Sequence, residues 1–135
     1  MAIRLDAGCR AAITAHGRET YPNECCGVMY GLDGHVSSVL ALANNTEEGP
    51  RRRFRVSDRD YMAAERKARE LGAEMLGFYH SHPDHPAQPS QYDLDHALPN
   101  MSYVIVSVSA GEPGDLRSFV LRDDRSQFDE EPVEE

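Results

Sequence analysis

The first helix is predicted from the spacing of apolar residues near the start of the chain. Cys9, Ile13 and either His16 or Gly17 fall on one side of residues 6–20 when they are placed at helical spacing. The first residue of this segment is an aspartate, which is typical of an N-cap. We therefore expect an amphipathic helix whose apolar side faces a core.

A second helical pattern follows an arginine-rich run in the middle of the chain. Ser57 or Asp58 is the predicted N-cap, and Gly72 is expected to end the helix. The predicted buried side consists of Tyr61, Ala64, Ala68 and Leu71. A third and shorter helix is predicted within "SQYDLDHAL", which begins at Ser90.

Short apolar runs predict the strands. "CCGVMYGL" and "HVSSVLALANN" flank the dipeptide "DG", which is typical of a hairpin. "FRV" predicts a short strand, and "EMLGFYHSH" predicts an interior strand that Pro83 closes. "SYVIVSVS" and "DLRSFVLRD" predict a last pair of strands around "GEPG". The pattern as a whole indicates one α/β (α+β) domain, a mixed sheet flanked by helices.

Length and charge narrow the class of protein. A chain of 135 residues with a formal net charge of -9 fits one domain, which we expect over residues 1–125, followed by a solvated acidic tail over residues 126–135. The negative charge disfavours nucleic acid as a partner. No stretch approaches the roughly 20 apolar residues that span a bilayer. Three cysteines, two of them adjacent, argue against a disulfide framework and favour a soluble protein of the cytoplasm.

The stretch "FYHSHPDHPAQPSQYD", residues 78–93, concentrates side chains that bind metals. On a strand, residues two apart point to the same side, so His80 and His82 project together. The proline-rich loop can turn the chain back, and we then expect Asp93, in the first turn of the next helix, to face the strand end. Three protein ligands leave the fourth position of a zinc ion for water, as in a catalytic site. A bare His-x-His pair is, however, more often a surface couple without an ion.

Other side chains in this stretch fit the ion less well. Asp84 directly follows a proline and lies too near the second histidine to reach the same ion easily. Asp95 is expected on a different face of the helix. His96 competes as a ligand but is more consistent with packing or exposure, and His85 is assigned to the surroundings of the ion or to no role.

Hydrolysis at a metal also needs groups that are not ligands. Glu24 is the candidate base, because it lies where a turn passes into an apolar strand and burial there would raise its pKa. Glu19 is the alternative, and an ordinary strand-edge acid is the simpler interpretation of Glu24. Ser90 has the spacing of a helix cap, which alone would explain it, whereas its functional role would be to donate to a developing oxyanion.

These residues together resemble the signature of a known family. Glu24, followed by "HSHP" at 80–83 and "PSQYD" at 89–93, is similar to the motif of the JAMM metalloproteases, the MPN-plus members of the Mov34/MPN/PAD-1 group. The resemblance covers nearly the whole chain. It implies a curved mixed sheet flanked by helices, the cytidine-deaminase-like architecture of that family.

The resemblance also implies roles for individual residues. His80, His82 and Asp93 would bind one zinc ion, Glu24 would hold and deprotonate the water, and Ser90 would help to stabilise the tetrahedral intermediate. No position of the motif is missing, whereas inactive scaffold members of the group lack ligands. The resemblance therefore implies an active hydrolase.

A substrate class follows from the same resemblance. Family enzymes hydrolyse peptide or isopeptide bonds after the C-terminal Gly-Gly of ubiquitin-like proteins, and small bacterial members are associated with sulfur carrier proteins that carry extended tails. We expect such a partner, and a homodimer is left open. In related enzymes a segment before the second helix helps to hold the tail, so Arg51, Arg52 or Arg53 is expected to contact substrate. A solvated loop is the simpler interpretation of these arginines.

Three other functions compete with this prediction. A non-catalytic MPN module would bind a ubiquitin-like protein without cutting it, but the complete motif counts against it. A zinc deaminase would need H-x-E and P-C-x-x-C patterns, which the chain lacks. A thiol protease would use Cys25 or Cys26 with His80, although buried thiols usually behave as small apolar side chains.

Overall fold

A computed structural model describes residues 2–44 and 57–135 of the chain. The strands are β1 (Ile3–Leu5), β2 (Cys26–Leu32), β3 (His35–Leu42), β4 (Glu74–Pro83), β5 (Ser102–Ser109), β6 (Glu112–Leu121), β7 (Phe128–Glu131) and β8 (Val133–Glu134). The helices are α1 (Ala7–Thr20), α2 (Asp58–Leu71) and α3 (Gln91–His96). The arginines at 51–53 and the predicted strand "FRV" lie outside the described residues.

One mixed sheet contains all of these strands, in the order β7-β6-β5-β4-β2-β3-β1-β8. The central strand β4 lies between β2, which runs antiparallel to it, and β5, which runs parallel. A parallel pair needs a long connection, and here residues 84–101, with α3, supply it. The predicted antiparallel pairs β2–β3 and β5–β6 both form. The predicted mixed sheet with flanking helices is confirmed.

Helix α1 packs one side onto the sheet, as predicted. Its buried residues are Cys9, Ile13 and Gly17, so Gly17 takes the position that His16 would otherwise occupy. A Cβ at Gly17 would lie 3.2 Å from a methyl group of Val108, so the helix approaches the sheet closely there. The aspartate at the N-cap position makes no cap hydrogen bond with its side chain.

Helix α2 begins and ends at the predicted signals. The Ser57 hydroxyl accepts a hydrogen bond from the backbone of Asp60, and Gly72 adopts a φ of 64° at the C-cap. Ala64 and Ala68 are buried, but Leu71 is 45% exposed. The prediction for Leu71 is wrong, since this last residue of the helix lies at the surface. No helix among residues 2–44 and 57–135 is long and apolar enough to cross a membrane.

The last residues are not the solvated tail that their acidity predicted. β7 pairs with β6 at one edge of the sheet, and β8 pairs with β1 at the other edge. Glu131 and Val133 belong to these two strands and are only two residues apart, so their Cα atoms are at most about 7 Å apart. The sheet must therefore curve until its two edges come close together. The backbone N–H of Ile3 donates to the carbonyl of Pro132 at 3.0 Å, which completes this junction.

Candidate active site

Three buried polar side chains converge at the end of the central strand. The Nε2 atoms of His80 and His82 are 3.1 Å apart, and each is 3.3 Å from the Oδ2 atom of Asp93. All three residues are buried. Strand alternation points the two histidines to one face, and α3 brings the carboxylate to them across the connection, as predicted.

The spacing of these three atoms fits a tetrahedral ion. Ligand atoms about 2.0–2.1 Å from a tetrahedral zinc ion are about 3.3–3.4 Å from one another, which is close to the observed triangle. Without a cation or a proton between them, two imidazole nitrogens and a carboxylate oxygen would point lone pairs at one another. The donor set and its geometry therefore fit a metal ion with three protein ligands.

Hydrogen bonds at the back of each ligand fix its orientation. His82 Nδ1 lies 2.9 Å from the carbonyl oxygen of Pro86, and because a carbonyl only accepts, that nitrogen carries the proton. Its Nε2 therefore presents a lone pair to the centre. Asp93 takes part in a capping box, in which the Ser90 backbone donates to Asp93 Oδ2 at 2.9 Å and the Asp93 backbone donates to the Ser90 hydroxyl at 3.1 Å. The cap of α3 thus aims the carboxylate.

Burial and hydrogen bonding shift the pKa values of all three side chains of this cluster. Burial lowers the pKa of His80, which favours the neutral imidazole. Burial opposes charge on Asp93 as well, but the attraction of the two imidazoles and the hydrogen bond from Ser90 hold the pKa of this carboxyl well below its usual range. For His82, burial lowers the pKa, but hydrogen bonding to Asp93 outweighs it and raises the pKa. An ionised carboxylate beside the imidazoles suits a divalent ion.

Glu24 is a second buried carboxylate beside the two histidines of the triad His80, His82 and Asp93. It is 5% exposed, and it offers a carboxylate oxygen within 4.8 Å of ligand atoms of His80 and His82. The Cys26↔His80 pair ends the β2–β4 ladder, and continuing that register places Glu24 opposite His82 on the same face. The Asp93 Oδ2 atom is 3.3 Å from both Nε2 atoms, so two carboxylates border the pair of imidazoles. Glu19, the alternative base, is exposed on α1.

The other acids and histidines of the loop are directed elsewhere. Asp84 is exposed and accepts hydrogen bonds from the Tyr21 hydroxyl and the Ala110 backbone, both at 2.8 Å. Asp95 is also exposed and accepts from Gln91. His85 is exposed, with its ring centroid 6.5 Å from that of His82.

His96 is the remaining alternative ligand. Its ring stacks on that of Tyr92, with centroids 4.0 Å apart, and its Nδ1 atom lies 2.9 Å from the Tyr92 carbonyl. The residue is exposed at the end of α3. Packing and exposure, rather than contact with the triad, describe this side chain.

The cysteines next to Glu24 are unsuited to attack. Burial raises the pKa of Cys25 to about 11 and that of Cys26 to about 12. A thiol with such a pKa is almost entirely protonated near neutral pH, and the thiolate is the nucleophile. All three cysteines are free and buried, so packing describes them better than catalysis.

One supporting residue was missed at the sequence level. Ser81 is fully buried, and its hydroxyl accepts a hydrogen bond from the Cys25 backbone at 2.8 Å. The Ser81 backbone donates to the Cys25 carbonyl at 3.2 Å. These bonds tie the segment that carries Glu24 to the strand that carries the histidines. The signal was present, since strand alternation turns this serine away from the ion and toward α1.

Comparison with known proteins places this site in a family. The family model described as prokaryotic homologs of the JAB domain matches residues 6–122. The chain belongs to this family. Its JAB domain therefore includes every residue of the triad, Glu24 and Ser90, and the predicted JAMM/MPN relationship is confirmed.

Three relatives of this JAB-domain chain carry informative names. The chain is 35% identical over 111 residues to the tail tip assembly protein K of Escherichia phage N15, which covers 82% of this chain but 42% of the phage protein. It is 29% identical over 123 residues to the CysO-cysteine peptidase of Mycobacterium tuberculosis. This alignment covers 90% of this chain and 83% of the peptidase. It is 31% identical over 112 residues to the desampylase of Haloferax volcanii. This alignment covers 78% of this chain and 80% of the desampylase.

Solved structures agree with the JAB-domain fold. A protein from Desulfitobacterium hafniense superposes with a TM-score of 0.84 at 34% identity, covering 98% of this chain and 94% of that one. A JAB1/MPN domain protein from Archaeoglobus fulgidus superposes with a TM-score of 0.58 at 17% identity. The superposition covers 100% of this chain and 97% of that one. The predicted MPN/JAMM architecture is therefore confirmed.

Proposed function

We propose that this chain is a metal-dependent peptidase that cleaves the bond after the C-terminal Gly-Gly of a ubiquitin-like protein. The observation that carries the proposal is the buried triangle of His80, His82 and Asp93, with the Glu24 carboxylate beside it. A binding module has no need to bury these four polar groups at one point, since burial of polar groups is costly.

The coarser part of this function follows from the family. The chain is a hydrolase of the JAMM type, because it belongs to the prokaryotic JAB family and carries the assembled site. Two relatives are named as a CysO-cysteine peptidase and a desampylase, and these names support a ubiquitin-like protein as substrate. A sulfur carrier with residues attached beyond its Gly-Gly is the substrate that we propose. A cytoplasmic location and a homodimer stay predictions.

Zinc is the metal that we propose for the triad. His80, His82 and Asp93 would hold it through two nitrogens and one oxygen, the donor set of many catalytic zinc sites. When bound, the ion would polarise the scissile carbonyl and lower the pKa of a water molecule. With three protein ligands, a bound zinc ion would keep a position open for that chemistry.

The chain's own residues carry the proton transfers in this proposal. The Glu24 carboxylate takes a proton from the attacking water and then delivers it to the nitrogen of the departing group. Ser90 uses its oxygen as the acceptor in the α3 cap, so its O–H proton can be donated to the oxyanion. The cap contact of the Ser90 backbone with Asp93 at 2.9 Å, and the Glu24 carboxylate within 4.8 Å of the histidine ligand atoms, support these two roles.

The deciding experiment follows cleavage by mass spectrometry. A sulfur carrier protein extended by residues after its Gly-Gly is incubated with the protein, with and without a chelator. We expect the extension to be lost only in the metal-loaded sample. Glu24→Gln should lower kcat by at least about a hundredfold, while inductively coupled plasma mass spectrometry still finds one metal ion per chain.

Controls separate the competing functions. Cys25→Ala and Cys26→Ala should retain cleavage, whereas a thiol protease would lose it and would survive chelation. Glu19→Gln, an exposed change on α1, should also retain activity. If the protein binds the carrier but no extension is removed under any metal loading, the non-catalytic module replaces this proposal.

A further inference from the structure

A cavity opens directly beside the triad and has no role in the function proposed so far. Its volume is about 480 Å³, and His80 and Asp93 form part of its wall. A peptide whose carbonyl reaches the triad would therefore have this cavity within reach of its nearest side chain. The space is large enough for one bulky side chain together with backbone.

Aromatic rings form the inner wall of the cavity. Phe78 of β4 stacks between Tyr61 of α2, with centroids 6.0 Å apart, and Tyr103 of β5, with centroids 5.8 Å apart. The Tyr103 hydroxyl accepts a hydrogen bond from the Leu98 backbone at 2.8 Å, so it is already paired. The interior therefore offers apolar surface and little unpaired polarity, which favours an apolar occupant.

The rim differs from the interior. Asp58 and His96 line the cavity and are exposed at its edge, whereas Ala97 is buried in its wall. Charged and titratable groups thus stay in contact with water at the mouth. A charged side chain would have to leave water to enter further, while an apolar side chain gains by the same transfer.

We infer that this cavity selects a large apolar side chain, such as phenylalanine or leucine, on the first residue that is released from the substrate. This inference rests on the proposed function, in which both residues before the cleaved bond are glycines. Glycine has no side chain, so the released residue carries the side chain nearest to the scissile carbonyl. The cavity that shares His80 and Asp93 with the triad is the place where that side chain fits.

The first test reads binding and does not depend on cleavage. Phenylalaninamide, leucinamide, alaninamide and lysinamide, which imitate the released residue, are titrated into the nitrogen-15-labelled protein. We expect phenylalaninamide to shift the backbone resonances of Ala97 and Leu98 and to bind at least about tenfold more tightly than alaninamide. Equal affinities, tighter binding of lysinamide, or shifts confined to other parts of the chain would overturn the inference.

The second test reads selectivity in cleavage. Carriers ending in Gly-Gly-Phe, Gly-Gly-Leu, Gly-Gly-Ala and Gly-Gly-Lys compete in one reaction, and kcat/KM for phenylalanine should exceed that for alanine at least about tenfold. Cleavage of all four at one rate overturns the cavity's role and leaves the proposed peptidase intact. Absence of any cleavage would contradict the proposed function. The amide titration would then still show whether the cavity prefers a large apolar side chain.

A pair of variants locates the effect. Ala97→Phe places a ring in the cavity and should reduce the preference for phenylalanine over alanine to within about threefold. Leu71→Ala changes an exposed apolar residue outside the cavity and should leave the preference unchanged. If Ala97→Phe does not fold, as judged by its amide spectrum, the titration of the unaltered protein still gives the answer.

Discussion

At the residue scale, the site depends on side chains that touch no substrate. Ser81 faces α1, since its Cβ lies 3.5 Å from where a Cβ on Gly17 would be. On the opposite face of the same strand, its neighbours point into the triad. One residue thus couples the packing of α1 to the placement of Glu24, through the hydrogen bond from the Cys25 backbone.

Ser81→Ala is expected to weaken both stability and catalysis. Removing the hydroxyl leaves a buried backbone N–H without its acceptor, which costs about 1–3 kcal/mol in the free energy of unfolding. Because Glu24 immediately precedes Cys25 in the chain, kcat should fall while metal content is unchanged. Chemical denaturation, metal analysis and kinetics measure the three quantities. Ser37→Ala, an exposed change on β3, is the matched control, and equal losses in both variants would contradict the coupling.

At the element scale, the short helix α3 serves as the holder of one ligand. Its capping box uses the same Asp93 oxygen that faces the two imidazoles. The cap is therefore part of the site, and the two interpretations of Ser90 that the sequence left open are compatible. The structure shows the cap, and the donor role is the part that experiment must test.

Substitutions at Ser90 separate its two roles. Ser90→Ala should lose the cap, at about 0.5–2 kcal/mol of stability, and also lose activity. Ser90→Asp keeps a cap acceptor but has no proton to donate, so it should recover stability without recovering kcat. Ser90→Thr keeps both features and should recover both. Full activity in Ser90→Asp would show that Ser90 acts only as a cap.

Local signals explain which elements were predictable from sequence. The Ser57 cap, the left-handed Gly72 and the Asp33-Gly34 turn, with φ values of 53° and 75°, are formed by neighbours in the chain, so sequence indicates them directly. The exposure of Leu71 depends on whether residues from distant parts of the chain cover the end of the helix, and no local pattern indicates that. His80 and His82 followed from strand alternation, whereas the contact with Asp93 depends on how a whole loop folds back.

At the scale of the whole molecule, the acidic C-terminal segment is part of the sheet. Composition predicted solvation, because acidic runs usually stay in water. Pairing with both edges overrides that tendency. Glu131 is buried and accepts hydrogen bonds from the hydroxyls of Ser102 at 2.6 Å and Ser118 at 2.7 Å. Long-range pairing of this kind leaves no signal in a single short stretch.

Removal of residues 132–135 should therefore destabilise the whole domain. The deletion eliminates β8 and the hydrogen bond from Ile3 to Pro132. Each hydrogen bond lost costs about 0.5–1.5 kcal/mol, so we expect the free energy of unfolding to fall by about 1–3 kcal/mol. Urea denaturation measures the change. Removal of Glu135 alone keeps β8 and is the control, and an unchanged midpoint for the longer deletion would contradict the structural role of the segment.

The pairing of β1 with β8 also sets an order of events during synthesis. β1 precedes the other described strands along the chain and β8 follows them, so the outer edge of β1 stays unpaired until β8 has been synthesised. Until then, that edge is open to pairing with other nascent chains. Pairing of β8 with β1 thus protects this edge from misassembly late in synthesis, in addition to stabilising the folded protein.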